Sequence, residues 1–520
     1  MPAFVRATVA ALCSVLLVMA APVAARADDG TLNTAFLAAT GTGFNSAVTD
    51  LLVQPDGKLV AVGNFTDFNG EPRSGIARLN PDGSLDTTFQ PGTGFIGGVP
   101  LAVARQSGGS LIVVGNFTEY DGDQVKKIVK ISPNGSRDAT FQPTAGGFAD
   151  SNDVFDVAVD SSDRAVVVGR FIALADGITT VYGIVRFSPD GVLDAGFQTA
   201  TGTAFPFPLT MPPRSVDVSA DRIVVAGDFE QFNGSDVAYV VQLDNTGALD
   251  PVFAANLGLN VDAQADRAVF EPDGQIVVSG DFNAFGGTAA IKLMRLNGDG
   301  TLDTAFSANT GFSNCCAASI AVDADGRIVL GGSFSQVAGG DRARIARLQS
   351  DGRLDMGFVV PGAGPDGFVN AVAAVTGGVF VAGDFGQISG TNAGGIARLN
   401  VDVPQPPPDP TPTPSPSPSV NPVPLPLKVK ARKSSKPVKR TGKTVVVTRA
   451  TTSTDGRLSV SVKGRPGKAI RATVRKKTGK VVVRIRKASA RTVRVTVRAV
   501  PLNPTTHSQV RWQRSWKVRR

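Results

Sequence analysis

Gly63-Asn64-Phe65 closes an apolar run that begins after Lys58, and the same run-ending triplet returns six more times. The returns are Gly115-Asn116-Phe117, Gly169-Arg170-Phe171, Gly227-Asp228-Phe229, Gly280-Asp281-Phe282, Gly332-Ser333-Phe334 and Gly383-Asp384-Phe385. Successive spacings are 52, 54, 58, 53, 52 and 51 residues. Seven units of near-constant length define a repeat architecture, in which each unit buries its apolar faces only against its neighbours.

Within the first unit, residues 48–54 and 58–65 run apolar or alternate, and they flank Pro55-Asp56-Gly57. Pro presets φ and Gly accepts the positive φ of a tight turn, so this is a hairpin signal. A second hairpin joins residues 75–80 to 84–89 through Pro81-Asp82-Gly83. Four strands per unit predict an all-β chain built on a seven-bladed β-propeller. The second-hairpin signature, Asp82-Gly83-Ser84-Leu85-Asp86 with Phe89, recurs around Asn134, Asp190, Gly247, Asp299 and Asp351. The seventh unit stops at Ala397-Arg398-Leu399-Asn400 without one, while Asp29-Gly30-Thr31-Leu32-Asn33 with Phe36 provides it at the other end. The N-terminal segment is therefore expected to close the ring by pairing with the last blade, which leaves no open edge.

These motifs resemble the delta-60 repeat family over residues 28–402. The resemblance implies a seven-bladed propeller in secreted or surface proteins, mostly bacterial, and brings no activity with it. Arg137 stands where the signature has Leu, Thr246 where it has Asp, and Arg170 where the other units are small or acidic. Those departures argue against seven equivalent ligand sites.

The composition divides the chain. Residues 428–520 hold 29 Lys and Arg against the single acid Asp455, a net +28; the 24 bases and 43 acids elsewhere leave −19. Residues 1–27 carry Arg6, an apolar run over 7–21 and Ala25-Arg26-Ala27, the order of a secretory signal peptide cleaved after Ala27. The run is shorter than the roughly 20 residues that span a bilayer, so export without an anchor is expected. Residues 403–427 are rich in Pro, Thr and Ser and predict an extended spacer. Beyond it, alternation such as Leu458, Val460 and Val462 against Ser459, Ser461 and Lys463 predicts a small basic β-domain of six strands, sandwich-like. Its 428–443 arm, poor in apolar residues, is expected to stay flexible.

Candidate site residues fall into three groups. Loops that vary on a rigid ring are where recognition usually sits, which selects Phe68 and Asn69, Tyr120 and Asp121, and Phe232 and Asn233, with the long 200–214 connection beside them. Asp228, Asp281 and Asp384 follow the motif glycine and would suit a hard cation if they met at a channel mouth. Termination of the strand through hydrogen bonds explains the same repetition, and the motif Phe residues are expected to pack. Cys315 and Cys316 remain as neighbours once Cys13 leaves with the signal peptide; they would form a vicinal disulfide or serve as ordinary small residues.

The only histidine, His507, lies in the tail, which removes Ser-His-Asp, Cys-His and zinc arrangements from the repeats. No cofactor is expected. Paired carboxylates acting on extracellular carbohydrate remain the enzymatic alternative, and a purely structural surface protein is a third reading. The leading expectation is a monomeric, non-enzymatic binding or adhesion module. Its basic tail would hold anionic envelope polymers or a membrane surface, its propeller a protein or glycan, and nucleic acid would not be a physiological partner.

Overall fold

The computed structural model describes residues 29–149, 152–205, 211–313 and 317–401, and the strands between 430 and 519. Contacts divide the chain into Met1–Pro406 and Pro407–Arg520, a boundary inside the expected spacer. The expected signal peptide, the spacer itself and the Cys315–Cys316 pair lie outside the described residues. Among the described residues no helix is long and apolar enough to cross a membrane.

Among the described residues of the first unit, seven three-stranded antiparallel sheets share one strand order, first to second to third, and an eighth, smaller one joins the two-residue strands Phe95–Ile96, Glu119–Tyr120 and Asp123–Gln124. In sheet one, Val48–Val53 pairs with Leu59–Gly63, and that strand pairs with Ile76–Leu79. Middle strands such as Leu59–Gly63, Leu111–Gly115 and Ile276–Gly280 are buried at every residue. Their apolar runs lack alternation because both faces are covered. The first strands are Val48–Val53, Pro100–Arg105, Asp153–Val159, Pro213–Ser219, Ala265–Phe270, Ala317–Val322 and Phe368–Val375. Each touches the next, and the seventh touches the first. All seven motif Phe residues are buried. Phe65, Phe117 and Phe229 pack on Phe44, Phe95 and Phe205 at centroid distances of 4.3, 4.5 and 4.4 Å.

The outer part of each repeat departs from the expected fourth strand. Leu85, Leu193, Leu249, Leu302 and Leu354 each make only an isolated bridge to the third strand of their sheet. The chain then turns, in three cases into short helices, Ala195–Thr201, Pro251–Leu257 and Thr304–Ser307. The last acid of the signature is the cause. Asp194, Asp250 and Asp303 are N-caps whose side chains accept from the N–H groups of Phe197, Phe253 and Phe306, satisfying donors that a helix start leaves open. Asn33 does the same for Thr34–Thr40. Leu32 bridges Leu399 in the corresponding register, and the Gly30 and Asn33 N–H groups donate to the Asn400 and Arg398 carbonyls at 2.9 and 2.8 Å.

A cation on the third strand ties sheet to sheet. Arg78 donates to Asp86 at 2.7 Å, lies 4.7 Å from the Phe89 ring centroid and reaches the Pro133 carbonyl in the turn of the next repeat. Arg186 joins Asp194, Phe197 and the Asn245 carbonyl; Arg295 joins Asp303, Phe306 and the Ser350 carbonyl. Arg347 is buried between Asp355 and Phe358, and it donates to Asp29 of the N-terminal segment. Burial alone would raise the Asp86 carboxyl, but hydrogen bonds from Lys58, Thr88 and Arg78 hold it well below the usual carboxylate range.

Among the described residues the C-terminal unit has eight strands in two four-stranded sheets, where six strands are expected. One runs Lys430–Lys433, Thr444–Thr451, Lys480–Ile485, Ile470–Arg475; the other Val438–Lys439, Val510–Arg519, Thr492–Pro501, Gly456–Lys463. The arm expected to be flexible contributes Lys430–Lys433 and Val438–Lys439, because pairing to Thr448–Thr451 and to Val518 and Arg519 satisfies its backbone without an apolar side-chain pattern.

Arg347→Met should destabilise the first unit by about 3–5 kcal/mol, because it removes a buried guanidinium from between the Asp355 and Asp29 carboxylates. Urea unfolding followed by circular dichroism checks this; tryptophan fluorescence would not, since Trp512 and Trp516 both lie in the tail.

Candidate functional site

Every first strand carries a β-bulge in the same place. Register against the second strand shifts between Val48 and Asp50, Pro100 and Ala102, Val154 and Asp156, Pro213 and Ser215, Ala265 and Arg267, Ala317 and Ser319, and Val369 and Ala371. The extra residues are Thr49, Leu101, Phe155, Arg214, Asp266, Ala318 and Asn370. The motif glycine permits the close approach: a Cβ on Gly63, Gly115 or Gly280 would lie 2.3, 2.4 or 2.2 Å from the carbonyl oxygen of Ala47, Val99 or Gln264. A bulge bends its strand and re-aims one side chain. All seven bulge residues, with Arg267 and Ser333, line one cavity of about 490 Å³.

Side chains beside the bulges brace this mouth. Asp50, Asp156 and Ser319 accept from the N–H groups of Val103, Val216 and Val372 on the following sheet at 2.9, 3.0 and 3.1 Å. Thr49 donates to the Pro100 carbonyl at 2.8 Å, and Asn370 to the Val48 carbonyl at 2.9 Å. Burial pushes the Asp156 carboxyl up to about 6, against the opposing pull of Arg267 at 2.8 Å and the Val216 N–H. Burial would lower Arg267, but Asp156, Asp50 and Asp217 outweigh it and raise its pKa. Arg214 is raised too, by its paired hydrogen bonds to Asp228, both 2.7 Å, and by the charges of Asp228, Asp266 and Asp281.

Six segments, residues 54–89, 106–141, 220–253, 271–306, 324–358 and 377–402, match the family model described as "Domain of unknown function (DUF5122) beta-propeller". The chain carries β-propeller repeats. Solved structures similar to this propeller include the WD40 β-propeller domain of Doa1, at 11% identity over 69% of this chain and 95% of that one, with a TM-score of 0.42. A gluconolactonase from Xanthomonas campestris is 12% identical over 69% and 95%, TM-score 0.32. AztD from Citrobacter koseri is 10% identical over 65% and 80%, TM-score 0.30. No curated protein matches the chain. None of these likenesses speaks to activity.

The loop candidates divide into buried aromatic residues and exposed polar ones. Phe68, Tyr120 and Phe232 are buried, on Phe44, Phe95 and Phe205 at 4.8, 4.7 and 5.2 Å, and the Tyr120 hydroxyl donates to the Gly135 carbonyl. Asn69, Asp121 and Asn233 have positive φ, and their side-chain oxygens accept from the N–H groups of Thr42, Thr93 and Thr203, so they fasten one loop to another. Phe205 of the 200–214 connection is likewise buried.

The three metal candidates are also corrected. Asp228 holds Arg214, Asp281 meets Lys292 at 3.2 Å and Gln264 at 3.1 Å, and Asp384 is exposed at a strand end. Among the described residues no group of three His, Cys, Asp or Glu side chains is placed to hold a metal ion. The cation that Asp228 collects is the propeller's own guanidinium. Ser333, from the same motif position, does line the mouth.

Sequence reasoning missed the bulge residues, although a signal exists. They lie 13 or 14 residues before each motif glycine, directly after Val48, Pro100, Val154, Pro213, Ala265, Ala317 and Val369, all buried. That preceding position stays small or apolar, while the bulge position runs through Thr, Leu, Phe, Arg, Asp, Ala and Asn.

In the folded state Asp156 keeps its proton to about pH 6, whereas in the unfolded chain it loses it near the ordinary carboxylate value of 3.8. Its contribution to stability is therefore full in acid and declines as pH rises through that window. Relative to Asp156→Asn, the native protein should lose at most about 3 kcal/mol between roughly pH 4 and pH 6, read as the difference in urea midpoints.

Proposed function

We propose that this is an exported, non-enzymatic recognition protein. In this reading the seven sheets form a seven-bladed propeller closed by residues 29–36, the bulge ring at its mouth holds the ligand, and the basic C-terminal unit attaches the molecule to anionic envelope polymers or membrane head groups.

The observation that carries the reading is variation within the repeats. Demands of the fold act alike on every unit of a repeat protein, so a position released from them reveals itself by differing from unit to unit. Here seven chemically different side chains occupy one register around one cavity, on strands braced to their neighbours. Diverse groups converging on a concave site are what a binding site requires. Asp156, the mouth's raised carboxyl, gives its oxygens to the Val157 and Val216 N–H groups and to Arg267, which makes it a strut rather than a proton carrier. The tail reading is supported by the +28 of residues 428–520.

Co-sedimentation of the full chain with vesicles containing anionic lipid, and with anionic envelope polymer, tests the attachment. The full chain should pellet at low salt and be released as salt rises, and a variant lacking residues 428–520 should remain in solution. Pelleting that survives removal of the tail would overturn the anchor.

A further inference from the structure

We propose that the mouth binds a neutral saccharide, one pyranose ring or the end of a glycan chain, with a single site per propeller; this rests on the mouth being the binding site. Three features of the bulge ring select that class.

Its residues are sorted by chemistry around the ring. Leu101 and Phe155, on adjacent sheets, make an apolar sector, and Phe368, 57% exposed, opens the strand that carries Asn370. An aromatic face is the natural partner for the C–H face of a pyranose, through the same dispersion and weakly polar contacts that aromatic rings make elsewhere.

The polar sector has donors and acceptors already fixed. The Asn370 amide nitrogen donates to the Val48 carbonyl and the Thr49 hydroxyl to the Pro100 carbonyl, which leaves the Asn370 and Thr49 oxygens as acceptors. Arg214 spends Nε and one terminal nitrogen on Asp228 and keeps the other as a donor. Hydroxyl groups, which both donate and accept, suit such a mixed set.

Charge then decides among sugars. Each guanidinium of the mouth already faces carboxylates: Arg214 faces Asp228, with Asp266 and Asp281 adding to the field, and Arg267 faces Asp156, with Asp50 and Asp217. An anionic ligand would meet no unneutralised cation and a surplus of acids, whereas a neutral polyol loses nothing by entering. The cavity of about 490 Å³ lies within the usual range for small-ligand sites, roughly 300–1,000 Å³. Because the seven bulge residues differ, the ring presents one asymmetric surface rather than seven equivalent ones.

Isothermal titration calorimetry of the full chain against neutral hexose oligosaccharides and matched uronate oligosaccharides tests this. The expected result is one neutral oligosaccharide bound per chain, with affinity insensitive to salt. Phe155→Ala and Asn370→Ala should each weaken it about tenfold or more, and Phe155→Trp should retain it, with circular dichroism and melting showing that the variants fold. Uronates binding in preference, or no member of the neutral series binding, would overturn the saccharide assignment. A charged peptide whose binding is lost in the same two variants would overturn it while leaving the mouth as the site. Neutral binding that both alanine variants preserve would overturn the mouth and this assignment together.

Discussion

The third-strand cation is the contact on which the repeat depends. In one side chain it answers the acid of its own signature, covers the face of the signature Phe, and reaches a carbonyl in the turn of the next repeat. Around the isolated bridge at Leu85 or Leu193 only a few backbone bonds join the outer rim to the sheet, such as Asp86 N–H to the Arg78 carbonyl and Asp194 N–H to the Arg186 carbonyl, and this group adds the side-chain tie. Geometry matters more than charge at the position. Gln242, which stands there in sheet four, still bonds Asp250 at 3.0 Å and the Gly298 carbonyl at 3.2 Å. Lys130 in sheet two likewise reaches Asp138 and the Pro189 carbonyl. A buried donor whose bonds are all made has little to gain from full ionic strength, but one left unmade costs on the order of 1–3 kcal/mol.

Inside that rim, the motif glycine serves the opposite end of the sheet. With no Cβ at Gly63 or Gly280, the first strand crosses close enough for its carbonyl to occupy the space, and the strand absorbs the strain as a bulge. The fold thus creates seven inward-aimed positions as a by-product of its packing. Braces such as Asp50 to Val103 and Ser319 to Val372 then fix the spacing between them. At Leu101, Phe155 and Ala318 the side chain has no group that could hydrogen-bond to strand backbone, whereas Thr49 and Asn370 also brace the sheets through the Pro100 and Val48 carbonyls.

Much of this was legible in the residues and some was not. Repeat length, turn chemistry and the apolar middle strands follow from period and from Pro-Asp-Gly, and the motif Phe residues were rightly read as packing groups. The signature was misread as a fourth strand because Leu193-Asp194 preceding an apolar Phe197 satisfies a strand pattern as well as a cap, and only the Asp194 side chain accepting from the Phe197 N–H separates the two. Phe68, Tyr120 and Phe232 looked like loop tips because they adjoin Asn-Gly or Asp-Gly. In three dimensions those tips fold back onto aromatic residues that precede the first strand, a contact between segments more than 20 residues apart. The bulge residues are hard to read from the sequence because a bulge adds a residue without any characteristic residue type.

The charges of the mouth and of the tail follow different logic. Around Arg214 and Arg267 every positive group is matched by nearby carboxylates, so the mouth has little long-range pull, and under the proposed function it would discriminate by shape and hydrogen bonds. Residues 428–520, with a single acid among 29 bases, have the reverse character: an extended field, low selectivity and strong dependence on salt. On the proposed reading, recognition and attachment fall on separate units, which would avoid a conflict that one surface would face. A strongly cationic mouth would fill with whatever anion the envelope offers, and the seven different bulge side chains would then select nothing.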